Sequence, residues 1–167
     1  MKTIIITGAN SGIGKAAAKK LAAEGHRVIL ACRSEDKGNE AAEEIITSTG
    51  NKRVNTMKID LGSQASIKEF AETYSANFDR LDVLIHNAAN FDLTMKSPIL
   101  TEDGIELIFA TNHVGPFLLT NLLLDLLKNS APSRVITVAS KGLVMYPGLK
   151  IEYDNLNGEK SYSAQHA

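Results

Sequence analysis

A single cysteine in 167 residues, Cys32, leaves nothing from which to build a disulfide framework. Set in an apolar run, it reads as a core residue of a reduced, intracellular protein. Charge of one sign is also missing, because 18 Lys and Arg face 19 Asp and Glu for a formal net charge of −1. No general cationic field can then draw in nucleic acid or an anionic membrane, and neither is an expected partner. Long apolar runs are absent too. The stretch from Phe117 to Leu127 is broken by Thr120, Asn121 and Asp125 and is too short to span a bilayer. Met1-Lys2-Thr3 leads straight into Ile4-Ile5-Ile6, without the segments of a signal peptide. The expected protein is soluble and cytoplasmic. His26, His86, His113 and His166 form no ligand-spaced cluster with Cys32, so no metal centre is expected. Ser140 lies outside any Gly-x-Ser-x-Gly elbow, which argues against a serine hydrolase.

What is present fits one ordinary globular domain over residues 1–167, with 44% hydrophobic and 22% charged residues and no repeats or low-complexity tracts. Ile4-Ile5-Ile6, Val28 to Cys32, Val83-Leu84-Ile85 and Val135 to Val138 are near-continuous, β-branched runs. Such runs are expected of central parallel strands covered on both faces. Val54 to Ile59 mixes in polar residues and suits a sheet edge. Between the strands, Ile13, Ala16, Ala17, Lys20 and Leu21 mark one helix, closed by Gly25. A second, from about Ser34 to Thr49, presents Ala41, Ala42, Ile45 and Ile46. A third carries Ile67, Phe70, Ala71, Tyr74 and Phe78 and opens either at Ser63 or at the Ser66/Glu69 pair. The alternation implies an α/β fold, a Rossmann-type doubly wound parallel sheet with strand order 3-2-1-4-5.

The most informative segment, Thr7-Gly8-Ala9-Asn10-Ser11-Gly12-Ile13-Gly14, lies directly between the first strand and the first helix. Glycines there allow a tight turn, close approach of a pyrophosphate to the backbone and close packing of helix on strand. The free amides and positive end of the helix then face the anion. Lys15 invites comparison with a P-loop, but Ala9 and Ala16 occupy the positions where such a loop needs glycine and a hydroxyl. Arg33 ends the second strand. An acid there would meet a ribose 2′-hydroxyl, whereas a cation accommodates the 2′-phosphate of NADP(H), which is the expected cofactor. Arg33 also disfavours an S-adenosylmethionine methyltransferase on a similar sheet. Lys37 either reinforces the site or is simply solvated.

The glycine spacing resembles the Gly-x-x-x-Gly-x-Gly loop of the short-chain dehydrogenase/reductase family, and the resemblance extends along the chain. Asp60-Leu61 is similar to the family's adenine-contacting pair. Asn87-Ala88-Ala89 resembles its Asn-Asn-Ala-Gly element, with His86 and Ala89 as departures. The segment Thr111 to Phe117 resembles the one containing the active-site Asn, here Asn112, and Val135 to Ser140 resembles the strand delivering the catalytic Ser. The wording around His113 and Asp154-Asn155-Leu156 is most similar to the retinol-dehydrogenase-like branch. The resemblance implies hydride transfer between a nicotinamide and a small carbonyl or alcohol substrate. Ser140 would bond the substrate oxygen, and Asn112 would position a water in the proton relay.

The family's Tyr-x-x-x-Lys pair has no good counterpart. Tyr146 and Lys150 have the spacing, but Pro147 and Gly148 would break the helix between them. Tyr153 has Asn157 at the Lys position and Tyr162 has His166. Ser161 to Ala167 resembles the approach to that motif, so the family fold is expected to be incomplete at its C-terminal part and the 167 residues inactive alone. The alternative is a catalytically inactive NADP-binding or scaffold protein. Leu118, Leu119, Leu122, Leu123, Leu124, Leu126 and Leu127 leave little polar surface on the helix expected over 112–128. It should be buried all round, through homo-oligomer formation or through cover from a longer polypeptide.

Overall fold

The structure, a computed structural model, describes residues 1–92, 94–140, 148 and 150–163. In chain order, these residues form β1 Thr3–Thr7, α1 Gly12–Ala23, β2 Arg27–Cys32, α2 Glu35–Thr49, β3 Val54–Lys58, α3 Gln64–Asn77 and β4 Val83–His86. Then follow α4 Leu107–Phe109, a π-helical turn Ala110–Val114, α5 Gly115–Leu122, α6 Leu124–Asn129 and β5 Arg134–Thr137. All four strand pairings are parallel, and the order is β3-β2-β1-β4-β5, as expected.

The period-two alternation of the central strands sorts the core into two layers. Ile4 and Ile6 join Val28, Leu30 and Cys32 against α1 and α2. Ile5 joins Ile29, Leu84, Phe70, Tyr74, Leu119, Leu123 and Leu127 against α3, α5 and α6. Helix α3 opens at Ser63, whose Oγ accepts from the Ser66 N–H, which resolves the two starts left open by sequence. The same hydroxyl cap occurs at Ser34 before α2.

Three expectations need correction. The buried stripe of α1 is Gly14, Ala18 and Ala22, while Ile13 and Ala16 face solvent. Small side chains let this helix lie close to the sheet, so its inner face is the one with least volume rather than the most hydrophobic one. The leucine-rich helix does not run unbroken over 112–128, and within the single chain only its sheet-facing side is covered. Leu119, Leu123 and Leu127 are buried, but Phe117, Leu122 and Leu124 are exposed, and the helix restarts after Leu123. Nor is β5 a covered central strand. It is the outer strand beyond β4, and all four of its residues are exposed, because nothing among the described residues packs over it.

Candidate coenzyme-binding and active site

Parallel register brings the carboxyl ends of the strands to one edge of the sheet. Thr7 pairs with Ala31, Ile6 with Ile85, and His86 with Thr137. The residues that follow these strands, Gly8, Arg33, Asp60, Asn87 and Ser140, therefore share that edge, where open α/β sheets place ligands.

Thr7 organises the centre of this edge. Its Oγ1 accepts from the backbone N–H groups of Asn87 and Ala88, each at 3.0 Å. Asn87 Nδ2 donates to the carbonyls of Thr7 at 3.0 Å and Gly8 at 3.4 Å. The glycine loop is thus bonded to the segment after β4, and two of its glycines are pressed into that contact. A Cβ on Gly14 would lie 2.5 Å from Asn87 Nδ2 and 2.6 Å from Gly8 O, and one on Gly8 2.9 Å from Ala88 Cα. Gly12 differs: its φ is +53° and a Cβ there would meet nothing within 4 Å. The rear of the loop is packed and its front is open.

The opening of α1 has no side-chain cap. Ser11 makes no capping hydrogen bond, so the first-turn amides are left without a side-chain acceptor. Ala9 is buried and Asn10 half-buried, whereas Ser11, Gly12 and Ile13 are exposed along the loop. The Cys32 thiol lies beneath it. Burial pushes its pKa up, opposed in part by hydrogen bonds from the Ala9 and Asn10 backbone.

Around the loop, the expected site residues divide by what their side chains can reach. Arg33 and Lys37 are exposed, in and just past the β2–α2 turn. Asp60 Oδ1 accepts from the Gly62 N–H at 2.8 Å and closes the turn after Ile59, while the Leu61 side chain enters the core. That leaves only the Leu61 backbone for the edge. Asn87 and Ala88 are half-buried beside the glycine loop, and Ala89 is exposed.

Asn112 is exposed on the π-helical turn. Single π turns inside α-helices recur at functional sites. Its Oδ1 accepts from the Asn90 N–H at 2.6 Å and its Nδ2 donates to the Asn90 carbonyl at 2.8 Å. Both ends of the amide therefore hold the strap that continues from Asn87. Ser140 is exposed three residues beyond β5 and makes no hydrogen bond among the described residues. Tyr146 lies outside the described residues, as does His166, and Lys150 is exposed. Tyr153 lines an open cavity of about 360 Å³ with Phe109, Val114 and Leu156. Tyr162 is bonded to Glu106.

Sequence reading put Thr7 in the loop segment without giving its hydroxyl a role, and it missed Glu106. The role of Thr7 could have been found, since the strand order places the end of β1 beside the end of β4. Glu106 could not, because the start of its helix was not located.

The profile of the short chain dehydrogenase family matches residues 2–153. The chain belongs to the short-chain dehydrogenase family. It is 48% identical over 164 residues to human retinol dehydrogenase 11, covering 98% of this chain and 49% of that relative. The chain thus spans about half the length of the curated relatives it matches. Among solved structures, an uncharacterized protein from Mycobacterium paratuberculosis superposes with a TM-score of 0.79 at 37% identity, covering 100% of this chain and 56% of that one. A metagenomic short-chain oxidoreductase solved with NADP superposes with a TM-score of 0.72 at 28% identity, covering 83% of this chain and 62% of that one. Proteins of this family bind a nicotinamide dinucleotide. No helix among the described residues is long and apolar enough to cross a membrane.

Proposed function

We propose that the chain forms the NADP(H)-binding part of an oxidoreductase acting between a carbonyl and an alcohol. The observation that carries this reading is the loop from Gly8 to Gly14, tight against Asn87 and Ala88 behind, open at Gly12 in front, and ending in an uncapped helix start. A pyrophosphate fits such a cradle, because backbone amides and the helix dipole both face it and Gly12 puts no Cβ in its way. When bound, the coenzyme supplies or accepts the hydride.

The chain's own residues hold the parts. Thr7 and Asn87 fix the loop, and Asn112 fixes the strap after Asn87. In this reading, Asp60, Leu61 and Ala88 to Ala89 flank the adenine and ribose, the Leu61 contribution being backbone. Arg33 takes the 2′-phosphate. Ser140 donates to the substrate oxygen. A retinoid alcohol or aldehyde is the first substrate to try, since a relative of this identity is named for retinol. With Pro147 and Gly148 between Tyr146 and Lys150 in the sequence, residues 1–167 bind coenzyme but do not turn over. Phe117, Leu122 and Leu124 serve as a face for a second copy.

The test is a fluorescence titration with NADPH and with NADH. Arg33→Ala should weaken NADPH binding by about tenfold or more, the range of a charge-assisted phosphate contact, and leave NADH binding nearly unchanged. Equal loss for both coenzymes would remove Arg33 from the phosphate site. Retinal reduction by the 167-residue chain would refute the missing pair.

A further inference from the structure

Glu106 is 1% exposed, and no Lys or Arg among the described residues lies within ion-pair distance of it. A buried carboxylate is costly unless donors are aimed at its oxygens. Here they come from two distant parts of the chain. Oε2 accepts from the Phe109 N–H at 2.8 Å and caps the helix that passes into the π turn. Oε1 accepts from the Tyr162 hydroxyl at 3.2 Å. The segment before Tyr162 is fastened twice more: the Glu106 N–H donates to Asn157 Oδ1 at 3.1 Å, and Asn157 Nδ2 donates to Gly104 O at 3.2 Å. Burial pushes the Tyr162 phenol up and the Glu106 carboxylate pushes it further, so the hydroxyl remains a donor at neutral pH.

The helix is fixed again just past the π turn. A Cβ on Gly115 would lie 2.2 Å from Leu61 O, so the backbone there is pressed against the turn after β3. Between these two points stand Ala110–Val114, with Asn112 turned toward the Asn90 backbone. A π turn is a rare insertion whose position along a helix must be imposed by its surroundings.

We propose that Glu106 is a positioning residue: held by Tyr162 and the Phe109 amide, its carboxylate sets the register of the π turn that presents Asn112 to Asn90. It thereby links the 155–162 segment, which lies beyond Ser140 in the chain, to the strap lining the cleft. Glu106 itself touches no reacting atom. The functional weight of this link rests on the coenzyme reading given above, but the link can be measured without it.

The experiment follows hydrogen exchange of the Asn112 side-chain amide in the ¹⁵N-labelled 167-residue chain, its resonance identified by loss in Asn112→Asp. Tyr162→Phe and Glu106→Ala should shift this resonance and speed its exchange about tenfold, the effect of losing one hydrogen bond's worth of restraint. Glu106→Gln, which keeps an acceptor for Phe109 and a partner for Tyr162, should retain slow exchange. The Asn51 side-chain amide is the control, being held by the Ala22 and His26 carbonyls at the other end of β2, and should not change. If Glu106→Ala fails to fold, Tyr162→Phe carries the test, since it removes only a hydroxyl. An unmoved Asn112 amide in folded Tyr162→Phe would overturn the proposal. So would equal acceleration at Asn51, which would indicate general loosening. Loss of NADPH binding by the wild type alongside a responsive Asn112 would sink the coenzyme reading and leave this one standing.

Discussion

Three glycines at the head of α1 sit in one loop under different constraints. Gly14 has no room for a methyl group, because its neighbours there are Gly8 O and the bonded Asn87 amide. Gly14→Ala should therefore cost about 1–3 kcal/mol of stability, the range for overpacking a closed site. Its NADPH affinity should fall as well, because Asn87 must move. Gly12→Ala meets no atom, but its φ of +53° carries about 1–2 kcal/mol of left-handed strain. Its added methyl would occupy the open front of the cradle, so lost NADPH affinity should exceed lost stability. Urea denaturation beside fluorescence titration separates the two patterns. Equal behaviour of the two variants would mean that the front of the loop is not where the anion lies. The spacing of these glycines was legible in the sequence. Their division of labour was not, because it depends on Ala88 and Asn87, some 80 residues away and brought beside the loop only by strand pairing.

Between elements, His86 joins β4 to α5. The Thr120 hydroxyl donates to Pro116 O at 2.9 Å, so its lone pair receives the His86 Nε2–H at 2.7 Å. Nδ1 is buried without a partner among the described residues. Burial lowers the pKa of this imidazole below its ordinary 6.5, since an imidazolium would be desolvated there. The unfolded chain thus takes up the proton more readily than the folded one. Stability from this site is full above the unfolded pKa of about 6.5 and is lost as pH falls from there through the lowered folded value. Melting temperatures between pH 7 and 5 should decline in the wild type, with a slope of at most about 1.4 kcal/mol per pH unit from this group. His86→Gln should be less stable at pH 7 but should lack that component; the same slope in both would assign the acid sensitivity elsewhere. The sequence marked His86 as a departure from the family pattern and as no metal ligand, but gave it no partner. Its partner on α5 appears only once the helix is placed over β4. The π turn was equally hidden, because nothing in Ala110-Thr111-Asn112-His113-Val114 distinguishes it from an ordinary helical run. The apolar runs, in contrast, identified the strands directly, and they failed at β5 only in degree of cover. Val135 and Ile136 have the composition of a buried strand but stand exposed at the sheet's edge.

Across the whole molecule, the two layers of core are unequal in how they end. The α1–α2 side is covered by two helices, while on the other side Phe117, Leu122 and Leu124 are exposed, and the edge strand β5 exposes Val135 and Ile136, with Val138 exposed just past it. Exposed apolar surface of this kind, next to unpaired strand backbone, favours association. Sedimentation of the 167-residue chain should show self-association that rises with concentration and is reduced by Leu122→Glu; a monomer at all concentrations would remove the proposed second copy. None of this changes the cleft, which is built from β1, β2, β4 and the helix after Glu106. The central claim is that this cleft binds NADP(H) through the helix start behind Gly12. The most direct measurement is the melting temperature of the chain with and without NADPH. A coenzyme held at 100 times its Kd adds about 2.7 kcal/mol to the folded state, enough for a rise of several degrees. That rise, larger with NADPH than with NADH at equal concentration, is the expected result. An unchanged melting temperature at millimolar NADPH would contradict the account.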